Sequence, residues 1–207
     1  PANKFSNLYD LLKHSNFEEL LAIARMEMGA VPLDKVKLLA PITQPRNDII
    51  CLGINYRAHD EELPKDFDPE KIRERNVPVY FSKRANRCVD PDGYIDGHFG
   101  FVEKLDYECE LAVIIGKEAS NVSVFGYTII NDVSARDLQT RHKQWYFGKS
   151  LDTFAPLGPC IVTADEFPFP PALNLQCRVN GELRQDSNTR YLVHGIPYII
   201  SELSKGM

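Results

Sequence analysis

From about residue 46 onward the chain is a succession of short apolar runs rich in β-branched and aromatic residues, and this pattern constrains the fold most. The runs cover residues 49–54, 77–81, 108–115, 125–130 and 173–179. Runs of this length and composition are typical of strands. Asn180-Gly181 follows the last run and predicts a hairpin, because both residues tolerate the positive φ angles of a type I′ turn.

Helical patterns lie before and between these runs. Residues 15–18 read Ser-Asn-Phe-Glu, a capping box that predicts a helix ending before Pro32, and a shorter helix is predicted ahead of it. Two further short helices are predicted at residues 55–63 and 134–144, the latter with Ser134 as a candidate N-cap. We therefore expect an α+β protein with a small N-terminal region, residues 1–45, and a strand-rich catalytic body, residues 46–207.

Composition excludes several classes of protein. Lys and Arg number 24 against 29 Asp and Glu, so the net charge of −5 argues against a nucleic-acid-binding surface. The longest apolar runs are too short to span a membrane, and the N-terminus lacks a secretory signal, so we expect a cytoplasmic protein. The five cysteines are scattered without a Cys-x-x-Cys motif, which predicts reduced thiols.

A group of three carboxylates is the first candidate site. Glu108 and Glu110 would share one face of a strand, since strand side chains alternate with a period of two. Two neighbouring carboxylates repel each other unless a cation lies between them, although a solvated pair on an open face is the alternative. Asp132 follows another apolar run and could be a third ligand or a helix-capping acceptor. Three carboxylates suit Mg²⁺ or Mn²⁺.

Two further patterns could supply acid-base and charge-stabilising groups. His59 and Glu62 stand three residues apart on a predicted helix, where the carboxylate could orient the imidazole as a base; a structural histidine is the alternative. Lys83 and Lys149 follow apolar or small residues, so each could face a substrate carboxylate or enolate, or could simply extend to solvent.

Five ordered motifs carry a resemblance to a known family. They are Gly53-Ile54-Asn55-Tyr56-Arg57-Ala58-His59, Pro78-Val79-Tyr80-Phe81-Ser82-Lys83, Leu105-Asp106-Tyr107-Glu108-Cys109-Glu110-Leu111, the segment from Gly126-Tyr127 to Asp137, and Gly148-Lys149-Ser150-Leu151-Asp152-Thr153. In this order and spacing they resemble the fumarylacetoacetate hydrolase family, from about residue 46 to the end. Family members continue into a Gly-Asp strand and a Thr-Gly-Thr-Pro loop, so we expect that a C-terminal segment is missing here.

The resemblance implies a mixed β-sheet roll, a homodimer and a role for each candidate residue. It implies that Glu108, Glu110 and Asp132 hold Mg²⁺ or Mn²⁺. It further implies that Lys149 stabilises an enolate. The other residues implied are Arg136 and Gln139 as substrate contacts, Lys83 as a pocket-lining residue, and His59 with Glu62 as the dyad of acylpyruvate-cleaving members.

The expected activity follows from this resemblance. We expect a Mg²⁺- or Mn²⁺-dependent hydrolase that cleaves the carbon–carbon bond of a small 2,4-dioxo carboxylate similar to an acylpyruvate. Within the same family, isomerisation or hydration of an unsaturated 2-oxo dioate and decarboxylation of oxaloacetate remain alternatives. A catalytically inactive metal-binding protein is the alternative from a different class.

Overall fold

The computed structural model of the chain describes residues 8–14, 17–26, 30–56, 77–116 and 124–207. Two helices come first, α1 (Leu8–His14) and α2 (Phe17–Arg25). They correspond to the two helices predicted before Pro32. The capping residues Ser15 and Asn16 lie outside the described part of the chain, and a short 3₁₀ turn follows at Leu33–Lys35.

The described part of the body consists mainly of strands, with short helices after the sixth and after the ninth strand, in agreement with the α+β prediction. The strands are β1 (Ile49–Gly53), β2 (Val79–Lys83), β3 (Leu105–Asp106), β4 (Cys109–Ile115), β5 (Val124–Asn131), β6 (Ser134–Ala135), β7 (Leu157–Thr163), β8 (Asn174–Val179) and β9 (Glu182–Asn188). The helices are α3 (Arg136–Arg141), α4 (Tyr146–Lys149) and α5 (Ile196–Leu203).

The paired strands are antiparallel. Two of the pairs, β3 with β6 and β4 with β5, are linked directly, because β3 runs into β4 and β5 runs into β6. β3 pairs with β6 through Asp106 opposite Ser134, and β4 pairs with β5 through Cys109 opposite Asn131. β7 extends the second sheet along β5, while β1 pairs with β2 and β8 with β9. The chain therefore passes from one sheet to the next at Glu108 on one side and at Asp132 on the other.

The predicted hairpin is confirmed. Val179 of β8 lies opposite Glu182 of β9, and Asn180 and Gly181 between them have φ angles of 52° and 84°. Positive φ at both central residues is what a two-residue turn of this type requires.

The prediction that Ser134 caps a helix is wrong. Ser134 belongs to β6, and α3 begins two residues later without a side-chain cap. The Ser134 hydroxyl instead lies 2.9 Å from both Glu108 Oε2 and the backbone carbonyl oxygen of Asp132, and its single proton is shared between these acceptors. The predicted helix at 55–63 lies almost entirely outside the described residues, which resume at residue 77.

Two apolar clusters stabilise the body. Cys88, Ile130 and Leu157 form one cluster together with Ala40, so the segment just before the predicted border at residue 45 contributes to the core. The other cluster is next to the carboxylates and consists of Val102, Val133, Ala135, Leu138 and Phe154. Within the described residues, no helix is long and apolar enough to cross a bilayer.

Candidate metal centre

Three acidic side chains converge at the point where the chain changes sheets. One ligand oxygen each from Glu108, Glu110 and Asp132 lies within 4.8 Å of the others. Glu110 lies on β4, whereas Glu108 precedes that strand and Asp132 follows β5. The two glutamates therefore approach each other as the alternation predicted, although only one belongs to the strand.

Backbone hydrogen bonds hold this junction together. The Asp132 amide donates to the Glu108 carbonyl at 2.8 Å, and the Glu108 amide donates to Asn131 Oδ1 at 3.0 Å. The Ser134 hydroxyl fixes one oxygen of the Glu108 carboxylate. Because each of these residues is bonded to a neighbouring strand end, the carboxylates are positioned before any ligand binds.

Two buried lysines compensate the negative charge, and neither extends to solvent. Lys149 Nζ contacts Glu108 Oε2 and lies 2.7 Å from Asp132 Oδ2. Lys83 Nζ lies 2.6 Å from Asp132 Oδ1. Burial disfavours the Lys149 ammonium, but the Asp132 and Glu108 carboxylates outweigh this and raise the pKa of Lys149. For Glu108 the balance is the reverse. Burial raises the pKa of this carboxyl, but the positive charges of Lys149 and Arg136 outweigh burial, so the pKa is lowered overall.

Gly148 explains how Lys149 reaches this position. A Cβ atom at Gly148 would lie 2.6 Å from the Gln139 amide nitrogen and 2.7 Å from the Ala135 carbonyl oxygen. Only glycine lets α4 approach the first turn of α3 this closely. The Gly148-Lys149 pair thus combines close backbone packing with a buried ammonium.

Glu110 is the member of the group whose charge is not compensated. Within the described part of the chain, its carboxylate has no hydrogen-bond or ion-pair partner. Burial, together with the carboxylates of Asp132 and Glu108, raises the pKa of Glu110 to about 8. Asp132 Oδ1 is also buried without a hydrogen bond, since its contact with Lys83 is an ion pair alone. A hard divalent cation would compensate Glu110 and give Asp132 Oδ1 a further partner, so this oxygen donor set fits Mg²⁺ or Mn²⁺.

Arg136 and Gln139 lie beside the carboxylates on α3. The Arg136 guanidinium contacts Asp106 Oδ2 at 2.8 Å, Glu108 Oε1 at 3.0 Å and Gln139 Oε1 at 3.0 Å. Burial would lower the pKa of Arg136, but the Glu108 and Asp106 carboxylates raise it. The pair therefore presents a fixed cation and an amide beside the acidic group.

A cavity of about 1050 Å³ opens onto this group. Its wall includes Glu108, Glu110, Asp132, Lys149, Arg136 and Gln139. Lys83 does not line the cavity, in contrast to the prediction for it, because its fully buried ammonium is enclosed by other partners. His59 and Glu62 lie outside the described residues.

Two aromatic residues on the cavity wall were not predicted from the sequence. The Phe81 ring lies with its centroid 5.2 Å from Lys149 Nζ, and Trp145 packs edge-on against Phe81. The signal available in the sequence was weak, since each residue fits equally well as a core aromatic. They give the acidic group an apolar side, which strengthens electrostatic interactions there.

The fold and this site define the class of protein. The family model for the fumarylacetoacetate (FAA) hydrolase C-terminal domain matches residues 48–207. The chain belongs to the fumarylacetoacetate hydrolase family, which confirms the resemblance seen in the sequence.

Individual relatives are similar over most of the chain. Oxaloacetate tautomerase YisK of Bacillus subtilis is 44% identical over 183 residues, which cover 84% of this chain and 59% of YisK. Mitochondrial oxaloacetate tautomerase Fahd2a of Rattus norvegicus is 38% identical, over 91% of this chain and 61% of its own length. The structure of the fumarylacetoacetate hydrolase of Exiguobacterium antarcticum aligns with a TM-score of 0.71 at 36% identity, over 97% of this chain and 70% of that one. The chain thus spans about three fifths of the length of these curated relatives.

Proposed function

We propose that this chain carries the catalytic centre of a Mg²⁺- or Mn²⁺-dependent enzyme that acts on a small 2-oxo carboxylate through its enolate. The observation that carries the proposal is the junction of Glu108, Glu110 and Asp132 on a cavity wall that also presents the Lys149 ammonium. The three carboxylates would hold the ion. When bound, such an ion withdraws electrons from the 2-oxo group and so favours loss of a proton or carbon substituent from the neighbouring carbon.

The residues of the chain contribute charge and orientation. Lys149 places a positive charge at the cavity wall, where it stabilises negative charge that develops on the substrate oxygen. Arg136 would bind the substrate carboxylate, and Gln139 holds one nitrogen of its guanidinium in place. Phe81 and Trp145 exclude water from one side of the site.

The similarity to two oxaloacetate tautomerases favours one reaction among those open to this chemistry. We infer that the chain moves a proton between the carbon and oxygen of a 2-oxo dicarboxylate such as oxaloacetate. This reaction needs enolate stabilisation and proton transfer but no attacking water. Decarboxylation of oxaloacetate would instead break the bond to the neighbouring carboxylate, release CO₂ and leave the enolate of pyruvate, which needs the same charge stabilisation.

A second candidate is hydrolysis of an acylpyruvate, and the sequence His59-Asp60-Glu61-Glu62 favours it. Hydrolysis needs an activated water as well as a stabilised enolate. His59, oriented by Glu62, would take the proton from that water. The two candidates therefore share the metal centre and Lys149 and differ in their need for the dyad.

Assays of the purified protein with Mg²⁺ test the proposal, with oxaloacetate tautomerisation and acylpyruvate cleavage followed by ultraviolet absorbance. We expect tautomerisation that is lost in a chelator and restored by Mg²⁺ or Mn²⁺. A protein that binds Mn²⁺ yet accelerates none of these reactions would instead be an inactive metal-binding protein.

The variant His59→Ala separates the two reactions. It should lower any acylpyruvate hydrolysis by about 10²- to 10⁴-fold, because general-base catalysis contributes on that order, and it should leave metal binding intact. Oxaloacetate tautomerisation and decarboxylation should be spared, since neither reaction activates a water. Parental hydrolysis in His59→Ala at saturating Mg²⁺ would rule out the dyad.

The assembly is also part of the proposal. We infer a homodimer, as the family resemblance implies. Size-exclusion chromatography with light scattering would give the mass of the assembly. A monomer at micromolar concentration would contradict this part alone. The cytoplasmic location expected from the sequence stays a prediction.

A further inference from the structure

Lys83 is a buried cation whose contacts are all made inside the protein. It ends β2, opposite Ile49 of β1, and its side chain is fully buried. Its ammonium donates to the carbonyl oxygens of Val133 at 3.0 Å and Lys149 at 2.5 Å, and it pairs with Asp132. Two of its three N–H groups thus donate to carbonyl oxygens, and the Asp132 carboxylate compensates its charge.

These partners belong to two of the segments that meet at the metal centre. Asp132 and Val133 form the connection between β5 and β6, and Asp132 is a candidate metal ligand. Lys149 ends α4, where backbone carbonyls lack partners within the helix and a nearby cation is favourable. The Lys149 side chain returns to Asp132 at 2.7 Å. Lys83 therefore ties the carboxylate of Asp132 and the backbone of Lys149 to the end of β2.

We propose that Lys83 is a positioning residue that holds Asp132 and the end of α4 in the arrangement used by the metal ion, and that it does not contact the substrate. Its role toward the metal rests on the proposed function. The coupling between Lys83 and Asp132 exists in the metal-free protein and is independent of that function.

The opposite role, a direct substrate contact, conflicts with the geometry. Lys83 does not line the cavity, whereas Lys149 and Arg136 do. To reach a substrate, its ammonium would have to leave a buried carboxylate and two carbonyl groups. Removal of one partner from a buried ion pair leaves an uncompensated charge, which is strongly unfavourable.

A double-mutant cycle in the metal-free protein tests the coupling. Thermal unfolding in excess chelator would be compared for the parental protein, Lys83→Met, Asp132→Asn and the double variant. Lys83→Met should lower the melting temperature by about 10 °C, because it removes one of the two ammonium groups that compensate the buried carboxylate of Asp132. The double variant should lose clearly less than the sum of the single losses. If Lys83→Met does not fold, the double variant should fold; additive losses, or failure of both variants, would overturn the proposal.

A spectroscopic comparison separates positioning from mere stability. Electron paramagnetic resonance of bound Mn²⁺ reports ligand geometry, and its line shape should change in Lys83→Met. The control is Leu175→Ala, which removes a buried side chain of β8, a strand that supplies no candidate ligand, and should leave the line shape unchanged. An unchanged spectrum in Lys83→Met, with a raised KM and an unchanged kcat, would assign Lys83 to the substrate and overturn the proposal.

The two proposals fail in different ways. A parental protein without a bound-Mn²⁺ spectrum would contradict the proposed function, and the unfolding cycle would then decide the role of Lys83 by itself. If Mn²⁺ binds but the losses in melting temperature are additive, the proposed metal centre stands and the positioning role of Lys83 is refuted.

Discussion

The metal centre and the β8–β9 hairpin are built by opposite means. The turn of the hairpin depends on two adjacent residues, Asn180 and Gly181, whose positive φ angles set the register of both strands. The metal centre depends on side chains that are far apart in the sequence, such as Lys83, Asp132 and Lys149, joined by buried ion pairs. We therefore expect a change in the turn of the hairpin to act locally, whereas a change at the centre should disturb several elements together.

Two glycines make this contrast directly testable. Gly148 packs against the backbone of α3, and a methyl group there would collide with three backbone atoms within 3 Å. Gly181 faces open space, and a methyl group there would meet nothing within 4 Å. The same substitution therefore probes close packing in one region and backbone conformation in the other.

Loss of the Lys149 ammonium should have the largest effect. Lys149→Met should reduce turnover of a 2-oxo acid substrate by about 10²- to 10³-fold, because a charge-stabilising donor is lost at the cavity wall. Steady-state kinetics at saturating Mg²⁺ would measure it. The matched control is Lys143→Met, an exposed lysine between α3 and α4, which should keep parental turnover. Equal turnover in both variants would remove Lys149 from the mechanism.

Gly148→Ala should have the next largest effect. The new methyl group forces α4 away from α3 and displaces Lys149, and a displacement of about 1 Å can cost roughly a hundredfold in rate. Overpacking should also lower the free energy of unfolding by about 1–3 kcal/mol. Kinetics and chemical denaturation of the same preparation would show both changes. Parental kinetics in this variant would mean that α4 can move without affecting the site.

Gly181→Ala should have the smallest effect. The left-handed φ of 84° disfavours alanine by about 1 kcal/mol, so the melting temperature should fall by about 2–4 °C. Turnover and Mn²⁺ affinity should stay at parental values, because the turn makes no contact with the centre. A loss of metal affinity here would erase the distinction between the two regions.

The parts predicted correctly from the sequence are those set by neighbouring residues. The hairpin follows from its turn residues, and the approach of Glu108 and Glu110 follows from their closeness in the family motif, although Glu108 lies just outside the strand. The contacts of Lys83 with Asp132 and of Ser134 with Glu108 have no local signature. Such pairs become visible only when the fold brings distant segments together.

Three elements were not predicted, because their local sequence patterns do not indicate the structure that they form. β7 begins with Leu157, Gly158 and Pro159, and glycine and proline weaken a strand pattern even where pairing with β5 stabilises it. α5 is apolar, with a proline in its first turn, so its short pattern resembles a buried strand. The four-residue helix α4 is too short to produce a periodic signal.

Anomalous diffraction from crystals of the protein soaked in Mn²⁺ tests the central claim most directly. We expect one anomalous peak per chain, within bonding distance of carboxylate oxygens from Glu108, Glu110 and Asp132. The absence of a peak there at saturating Mn²⁺, with Lys149 still bridging Glu108 and Asp132, would contradict it.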